Sequence, residues 1–273
     1  MSSVVPIRTD LTSAAAAVEP AIRVDGISLT YGAQGRVTNA LENIDLTIAP
    51  GRFVVLVGPS GCGKSSLLMM MAGLRRPTAG TITCGGRAMT APQPDVAGVV
   101  FQEASLYPWL TTQDNVEFPL ALRGTPKAER RERARDKIAL VGLGGFEDRY
   151  PHELSGGMKQ RVSIARGLVQ DPPILMLDEP FAALDEQTRM SMGDELLRIW
   201  EQTGKTVVFV THSLSEATYL ADEIIVMSAR PGRIIDRITV DLPRPRTYAM
   251  MATPRFAELR ERIWDQIKHP VGE

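Results

Sequence analysis

The sequence predicts an α/β protein built around a mostly parallel β-sheet. Short runs of apolar, largely β-branched residues recur along the chain, as is typical of strands covered on both faces. Stretches with helical spacing separate these runs, and this alternation indicates a parallel sheet with helices packed against it. The composition agrees, since 44% of the residues are hydrophobic and 23% are charged, an ordinary globular balance.

The N-terminal region precedes the first recognisable element. Residues 1–20 show no apolar periodicity and are expected to form a flexible tail. The alanine-rich residues 14–18 resemble a signal-peptide core, but the run is short and no small-residue cleavage site follows it, which favours a mobile leader. Apolar and polar residues then alternate over residues 22–30, so the folded part is predicted to begin near Ala21 with a half-buried strand.

The central sheet is predicted from the apolar runs. Residues 53–57 (FVVLV) form the clearest run, because it is wholly apolar and lies between Gly51 and Gly58. Residues 81–88 instead predict an antiparallel hairpin, since Gly85-Gly86 can take the positive φ angles of a tight turn. The remaining buried strands are expected at 98–101, 174–177, 207–210 and 224–227.

An inserted, mostly helical lobe is predicted between residues 101 and 154, where the buried-strand pattern stops. Its charged run at 127–137 is typical of a solvated helix face, because Glu129, Glu132 and Asp136 alternate with the arginines. A basic patch for nucleic acid is the less favoured alternative, for the same reason.

The chain divides into three predicted parts. They are a flexible tail at 1–20, a main domain at 21–235 with a helical subdomain at about 103–160, and a C-terminal extension at 236–273. In the extension, Phe256, Leu259 and Ile263 are spaced i, i+3 and i+7, so it is expected to end in an amphipathic helix packed on the core.

Bulk properties exclude several classes of protein. The formal net charge is −1, which provides no general attraction to nucleic acid or anionic lipid. The longest apolar run, residues 67–73, is too short to span a bilayer. The two cysteines, Cys62 and Cys84, suit a reducing compartment better than a disulfide framework. We therefore expect a cytosolic protein that neither crosses a membrane nor binds nucleic acid.

A phosphate-binding loop follows the strand expected at 53–57. Residues 58–65 read GPSGCGKS and lead into a helix, which is the context that this motif requires. The glycines let backbone N–H groups point at a phosphate, Lys64 is expected to reach the β- and γ-phosphates, and Ser65 is expected to ligate Mg²⁺. The predicted nucleotide contacts are Gly58, Pro59, Ser60, Gly61, Cys62, Gly63, Lys64, Ser65 and Ser66.

Two carboxylates, Asp178 and Glu179, end the strand expected at 174–177. The phosphate loop lies at the same carboxyl edge of a parallel sheet, so both carboxylates are predicted near the nucleotide. Asp178 is expected to hold Mg²⁺, and Glu179 to orient and deprotonate the attacking water. An ordinary surface turn is the alternative, which the glycine loop in the same chain makes less favoured.

A second anion site is predicted at residues 154–160, LSGGMKQ, which open a helix. Ser155 and the N–H groups of Gly156 and Gly157 can hold a phosphate at the helix N-terminus. With this motif the chain resembles ABC-type ATPases, the nucleotide-binding subunits of ATP-binding cassette transporters. The resemblance implies that the motif, including Gln160, caps the γ-phosphate of an ATP held by a second copy in a head-to-tail homodimer. A flexible Ser-Gly-Gly linker is the alternative.

The resemblance covers roughly residues 22–233 and implies a fold, cofactors and further site residues. The implied fold is a P-loop NTPase of the ABC ATPase type, with a RecA-like, mostly parallel core sheet, an N-terminal antiparallel β subdomain and an inserted α-helical subdomain. The implied cofactors are ATP and Mg²⁺. The matching positions are Tyr31 for adenine stacking, Gln102 for sensing Mg²⁺ and water, Asp185 for the loop at the dimer seam, and His212 for the γ-phosphate. The implied catalytic residues are Glu179, His212, Gln102 and Lys64, and the implied metal ligands are Ser65, Gln102 and Asp178.

Within this family the local sequence is similar to importer ATPases. The stretches YPHELSGGMKQR and PFAALD look like the branch that serves nitrate, sulfonate, taurine and related small anions. This implies membrane permease partners, an external solute-binding protein, and a peripheral place at the cytoplasmic face of the bacterial inner membrane. The residues after Arg233 are expected to be too few for the regulatory β-domain that some importer ATPases append.

Two further features lie near the predicted site. Tyr107 and Trp109 follow Gln102 closely, and they either close the core of the helical lobe or line a groove that receives a permease helix. The thiol of Cys62 lies inside the phosphate loop, so activity is expected to be sensitive to alkylation.

Other functions stay open at the level of sequence. A non-transport ABC protein of DNA repair or translation usually carries two cassettes or a long coiled-coil insertion, whereas this chain has a single glycine loop. An ABC subunit for an unrelated solute is a further alternative. A GTPase or small-molecule kinase would not explain LSGGMKQ, and the chain has no Asn-Lys-x-Asp motif. A catalytically silent binding module is opposed by the intact Lys64, Asp178, Glu179 and His212.

Overall fold

The computed structural model describes residues 19–33 and 36–268. Most of the tail predicted at 1–20 lies outside these residues. The strands are β1 Ile22–Ala33, β2 Arg36–Ile48, β3 Phe53–Val57, β4 Ala79–Cys84, β5 Arg87–Ala88, β6 Ala97–Val100, β7 Ile174–Asp178, β8 Thr206–Val210, β9 Glu223–Met227 and β10 Ile234–Thr239. The helices are α1 Lys64–Met71, α2 Thr112–Leu122, α3 Lys127–Leu140, α4 Gly156–Leu168, α5 Glu186–Thr203, α6 Leu214–Leu220 and α7 Pro254–Lys268.

The central sheet has the strand order β10-β9-β3-β8-β7-β6. Its neighbouring strands are parallel except for β10, which runs antiparallel to β9. Each apolar run predicted for this sheet is a strand, so the predicted α/β class is confirmed. β10 was missed because, of its six residues, only Ile238 is buried, and an edge strand of this kind lacks a continuous apolar run.

The second sheet is antiparallel, with the order β2-β1-β4-β5. β4 and β5 form the predicted hairpin, and Gly85 and Gly86 have φ angles of 53° and 72° in its turn. β2 is a strand that the sequence reading missed. The buried Ile44, Leu46 and Ile48 alternate with polar residues and were the available signal, but register shifts in the pairing of β1 with β2 interrupt the period.

Strand β3 shows how the core is divided. Phe53, Val55 and Val57 belong to one buried cluster, whereas Val54 and Leu56 belong to the cluster shared with the antiparallel sheet. Alternate side chains of a strand point to opposite faces, so β3 is covered on both sides. This burial holds the end of β3 in place, where the phosphate loop begins.

The insertion between β6 and β7 contains α2, α3 and α4, which pack against one another. The charged run predicted as a solvated helix lies in α3, which buries only Ala134 and Ile138 toward this subdomain. The second predicted anion site opens α4, so it belongs to the helical subdomain rather than to the central sheet.

The C-terminal segment returns to the core. Helix α7 buries Phe256, Leu259 and Ile263, the positions that the sequence spacing placed on one face, and packs against α6. Within residues 19–33 and 36–268, no helix is long and apolar enough to cross a membrane.

Candidate nucleotide site

The phosphate loop connects β3 to α1, and Gly63 caps the helix. Gly63 has a φ angle of 105°, and a Cβ atom there would lie 2.6 Å from Leu41 Cδ2, so this position requires glycine. No side chain caps α1, and its first turn contains no acidic residue. The N–H groups of the first turn therefore keep their capacity to bind an anion.

Lys64 is the cation of this loop, and its side chain is turned into the loop. The residue is only 5% exposed, and Nζ donates hydrogen bonds to the carbonyl oxygens of Gly58 at 2.8 Å and Pro59 at 3.1 Å. These partners are neutral, so the ammonium charge is not balanced by a carboxylate in an ion pair among the described residues. A buried cation without a charged partner suits an anionic ligand such as a phosphate.

Ser65 and Asp178 form the predicted metal-binding pair. Ser65 Oγ donates a hydrogen bond to Asp178 Oδ1 at 2.8 Å, which joins the start of α1 to the end of β7. Burial raises the pKa of Asp178, and the charge of Glu179 raises it further, while the Ser65 hydrogen bond and Lys64 oppose this. A hydroxyl and a carboxylate oxygen are hard ligands, so the residues present fit Mg²⁺.

Glu179 and His212 meet at the same edge of the sheet. Glu179 Oε2 lies 3.0 Å from His212 Nδ1, and these residues follow the neighbouring strands β7 and β8. Glu179 has a φ angle of 45°, which is uncommon for a residue other than glycine. Its N–H donates to the Val210 carbonyl oxygen at 3.0 Å, which helps to hold this backbone conformation.

Tyr31 lies beside the first turn of α1. Its hydroxyl is 3.1 Å from Ser66 Oγ, and the Arg75 guanidinium lies 5.2 Å from the centre of its ring. The residue is 41% exposed, so part of the ring surface is available for stacking. This geometry suits the predicted contact with adenine.

Gln102 follows β6, the strand next to β7, and its side chain is exposed. Among the described residues, no hydrogen bond joins Gln102 to Asp178 or Glu179. Because β6 and β7 are parallel neighbours, Gln102 follows its strand at the same edge of the sheet as Asp178, but its side chain is not hydrogen-bonded to either carboxylate.

The LSGGMKQ segment leads into α4 of the helical subdomain, whereas the phosphate loop leads into α1. Ser155 Oγ caps α4 by accepting the N–H of Met158 at 3.3 Å, and Gly156 and Gly157 form the first turn of the helix. Within the part of the chain that the structure covers, no hydrogen bond joins Ser155, Gly156 or Gly157 to the phosphate loop. The two predicted anion sites of one chain therefore share no hydrogen bond among the described residues.

Two predicted contacts have buried side chains. Gln160 is 4% exposed, and its Nε2 donates to the Phe101 carbonyl oxygen at 3.3 Å, so it links α4 to the segment after β6 rather than facing solvent. Cys62 is 1% exposed, and burial raises the pKa of its thiol, which disfavours the reactive thiolate. The expected sensitivity to alkylation therefore does not fit this environment.

Asp185 begins α5. Its Oδ1 accepts the N–H of Thr188 at 2.9 Å and its Oδ2 accepts the Thr188 hydroxyl at 2.7 Å. These hydrogen bonds lower the pKa of Asp185. The sequence reading did not anticipate this helix-capping role, although an Asp before a helical run is a recognised signal for it.

A groove of about 820 Å³ lies between α2 and the residues around β6. The Tyr107 ring centre is 4.6 Å from Phe118 and 5.6 Å from Trp109, whereas Trp109 itself is 71% exposed. Tyr107 thus packs within the helical subdomain, and Trp109 remains at the surface. Tyr107 also lines the groove, so both alternatives predicted from the sequence describe Tyr107, whereas Trp109 is not among the lining residues.

The site geometry agrees with the comparison of the whole sequence. A family model described as ABC transporter matches residues 41–182, from β2 past Asp178 and Glu179. The chain belongs to the ABC transporter family. This ABC-type ATPase is 48% identical over 250 residues to an uncharacterised ABC transporter ATP-binding protein of Methanocaldococcus jannaschii, with 92% of each chain covered.

Two further relatives carry more specific names. The aliphatic sulfonates import ATP-binding protein SsuB of Bacillus cereus is 42% identical, and the match covers 90% of this chain and 96% of the relative. The taurine import ATP-binding protein TauB of Rhizobium johnstonii is 46% identical, and the match covers 89% and 94%.

A solved structure shares the fold. A dimeric ATP-binding cassette in a post-hydrolysis state with ADP and Pi has a TM-score of 0.72 and 33% identity, covering 81% of this chain and 100% of that chain. The predicted P-loop fold and ATPase class are therefore confirmed. Family membership also sets aside the GTPase, kinase and silent-module alternatives.

Proposed function

We propose that this ABC-type ATPase energises the import of small anions of the nitrate, sulfonate or taurine type. The similarity to relatives named for sulfonate and taurine import supports this solute class, because the matches span nearly the whole chain. The observation that carries the hydrolytic part is the 3.0 Å pairing of Glu179 with His212, next to the Ser65–Asp178 pair.

The proposed reaction assigns a role to each polar side chain. The Glu179 carboxylate accepts a proton from water as the water oxygen attacks the γ-phosphorus. The bond from that phosphorus to the bridging oxygen breaks, and ADP and inorganic phosphate are released. His212 orients Glu179 and contacts the γ-phosphate, while Lys64 binds the β- and γ-phosphate oxygens. Tyr31 stacks on adenine.

Ser65, Asp178 and Gln102 would hold Mg²⁺ in this proposal. The ion, when bound, neutralises charge on the β- and γ-phosphates. The exposed position of Gln102 suits a ligand that engages only when nucleotide is present. Asp178 already accepts a hydrogen bond from Ser65 Oγ at 2.8 Å.

A homodimer completes the site. The LSGGMKQ segment is not joined to its own phosphate loop, and Ser155 with Gly156 and Gly157 opens a helix whose N-terminus suits a phosphate. We place it on the nucleotide of a second copy, with Asp185 near the seam between the copies. The dimeric state of the similar solved cassette supports this arrangement.

The groove beside α2 is assigned to a membrane permease. A protruding helix of the permease would contact Leu74 and Leu122, two apolar residues that line the groove and are 47% and 74% exposed. Gln102 precedes this groove along the chain, so changes at the nucleotide can reach the permease. The chain would then be peripheral at the cytoplasmic face of the inner membrane, with a solute-binding protein on the other side.

Glu179→Gln tests the hydrolytic mechanism. The variant should retain ATP binding and form a stable ATP-bound dimer, because the base is lost while the phosphate contacts remain. Turnover should fall at least about 100-fold, and light scattering should report a dimer with Mg-ATP. Lys64→Ala is the matched control, which should lose ATP binding and therefore not dimerise. A folded Glu179→Gln chain that binds ATP and stays monomeric would contradict the shared site.

The same variant tests the solute class in cells. A strain whose only copy carries Glu179→Gln should lose uptake of at least one radiolabelled anion among nitrate, taurine and alkanesulfonates. Unchanged uptake of all three, in a strain where the variant is expressed, would reject the proposed solute class but leave the ATPase mechanism intact.

A further inference from the structure

A loop after β9 contacts the phosphate loop. We call residues 228–233 the flanking loop. Arg230 in this loop donates to the Gly61 carbonyl oxygen, with Nη2 at 3.1 Å and Nε at 3.4 Å. Arg230 is exposed, and Gly61 is 169 positions away in the sequence, so this contact depends entirely on the fold.

The flanking loop is packed closely at its other end as well. A Cβ atom on Gly232 would lie 2.0 Å from the Cys62 carbonyl oxygen, so only glycine allows this approach. The Gly232 N–H also donates to the Ala40 carbonyl oxygen at 2.9 Å, and the Gly232 carbonyl oxygen accepts the N–H of Glu42 at 3.1 Å. These contacts fix the flanking loop to β2 and make it a firm support for Arg230.

Hydrogen bonds connect Arg230 to the cation of the site. The Gly61 carbonyl that accepts from Arg230 belongs to the same peptide unit as the Cys62 N–H. That N–H donates to the Pro59 carbonyl oxygen at 3.3 Å, and the same oxygen accepts a hydrogen bond from Lys64 Nζ at 3.1 Å. Hydrogen bonds in such chains polarise one another. The Arg230 hydrogen bond therefore strengthens the one from Cys62 N–H to the Pro59 carbonyl oxygen, which also accepts from Lys64.

We propose that Arg230 is a positioning residue for nucleotide binding, which holds the turn at residues 59–62 in the conformation that receives phosphates. The planar guanidinium reaches one carbonyl with two nitrogens, which a lysine ammonium cannot reproduce. Arg230 acts through the loop and does not take part in bond cleavage. The proposal requires only the ATPase activity and is independent of the solute and of the permease.

The test measures nucleotide affinity and turnover of the isolated chain. Arg230→Ala should raise the Kd for ATP and for ADP, and the KM for Mg-ATP, about fivefold to tenfold, as expected when one hydrogen bond of ordinary strength is lost. The kcat should stay within about twofold, because Glu179 and His212 are untouched. Arg230→Lys should give an intermediate Kd.

Arg233→Ala is the matched control. Arg233 lies in the same flanking loop and is also exposed, but it pairs with Glu42 at 2.8 Å rather than with the phosphate loop. Its removal should leave Kd and KM unchanged. Two outcomes would overturn the proposal: an Arg230→Ala chain with wild-type Kd, or equal rises in Kd for both alanine variants, which would indicate only a general effect of charge or of loop stability.

Discussion

At the scale of single residues, Glu179 combines an unfavourable backbone conformation with a well-placed side chain. A φ angle of 45° costs a residue with a Cβ atom about 1–3 kcal/mol. The hydrogen bonds of its N–H to Val210 and of its carbonyl to Ala182 oppose this cost, at 3.0 Å and 3.1 Å. The result is a carboxylate directed at His212, as a base that orients water would need to be.

His212→Ala tests this residue pair. We expect turnover to fall at least about 100-fold, because Glu179 loses its orienting partner. The Kd for ATP should change little, since the phosphate loop is intact. His152→Ala is a matched control, because His152 is exposed and its ring stacks on Tyr150, away from Glu179 in the sequence and in the hydrogen-bond network of the described residues. Steady-state kinetics checks both, and an equal loss in the two variants would contradict the assignment.

At the scale of elements, one buried side chain holds residues 107–111, the segment before α2, in place. Asn115 on α2 is fully buried, and its Oδ1 accepts the Tyr107 N–H at 2.8 Å. Its Nδ2 donates toward the carbonyl oxygens of Tyr107, Leu110 and Thr111 at 2.9–3.1 Å. Because this segment is irregular, its backbone groups have no helix or sheet partners, and the Asn115 side chain provides hydrogen bonds to them instead.

Asn115→Ala should be strongly destabilising. We expect the free energy of unfolding to fall by about 2–3 kcal/mol, because several buried backbone groups lose their partner. Asn39→Ala is the control, since Asn39 is exposed and its side chain accepts one hydrogen bond, from Thr30 at 3.2 Å. Urea unfolding measures both, and a loss below about 0.5 kcal/mol for Asn115→Ala would refute this role.

At the scale of the whole molecule, the C-terminal extension joins the core through Arg244. Its guanidinium pairs with Asp222 at 2.8 Å, donates to the Leu220 carbonyl oxygen at 2.9 Å, and lies 4.2 Å from the centre of a Trp200 ring. Asp222 Oδ2 also accepts the N–H of Phe53, the first residue of β3, at 3.0 Å. The extension is therefore linked to the strand that leads into the phosphate loop.

Arg244→Ala should weaken the link between the extension and the core. We expect a loss of about 2–3 kcal/mol in the free energy of unfolding, because Asp222 is largely buried and would lose its cation. Arg262→Ala removes an ion pair of similar length, 2.8 Å to Asp236, from the more exposed surface of α7 and should cost less than about 1 kcal/mol. Thermal or urea unfolding measures both variants. Equal losses in the free energy of unfolding would contradict the distinction between the largely buried ion pair and the more exposed one.

Much of the fold could be predicted because it depends on local pattern. The strand expected at 98–101 is Ala97–Val100, and the one expected at 174–177 is Ile174–Asp178, since buried apolar runs are visible without neighbours. β2 was missed because register shifts interrupt its alternation, and β10 was missed because only Ile238 of its residues is buried. Gln160 was read from its motif as a nucleotide contact, but the packing of α4 turned its side chain toward Phe101.

By itself the sequence determined the glycine loop, the carboxylates that end β7 and the family, because each depends on residues adjacent in the chain. Only the tertiary structure decided which of these residues meet. Ser65 and Asp178 are 113 positions apart, and Glu179 and His212 are 33 apart. They come together because the sheet places β3, β8 and β7 side by side in an order that differs from the chain order, which no local pattern contains.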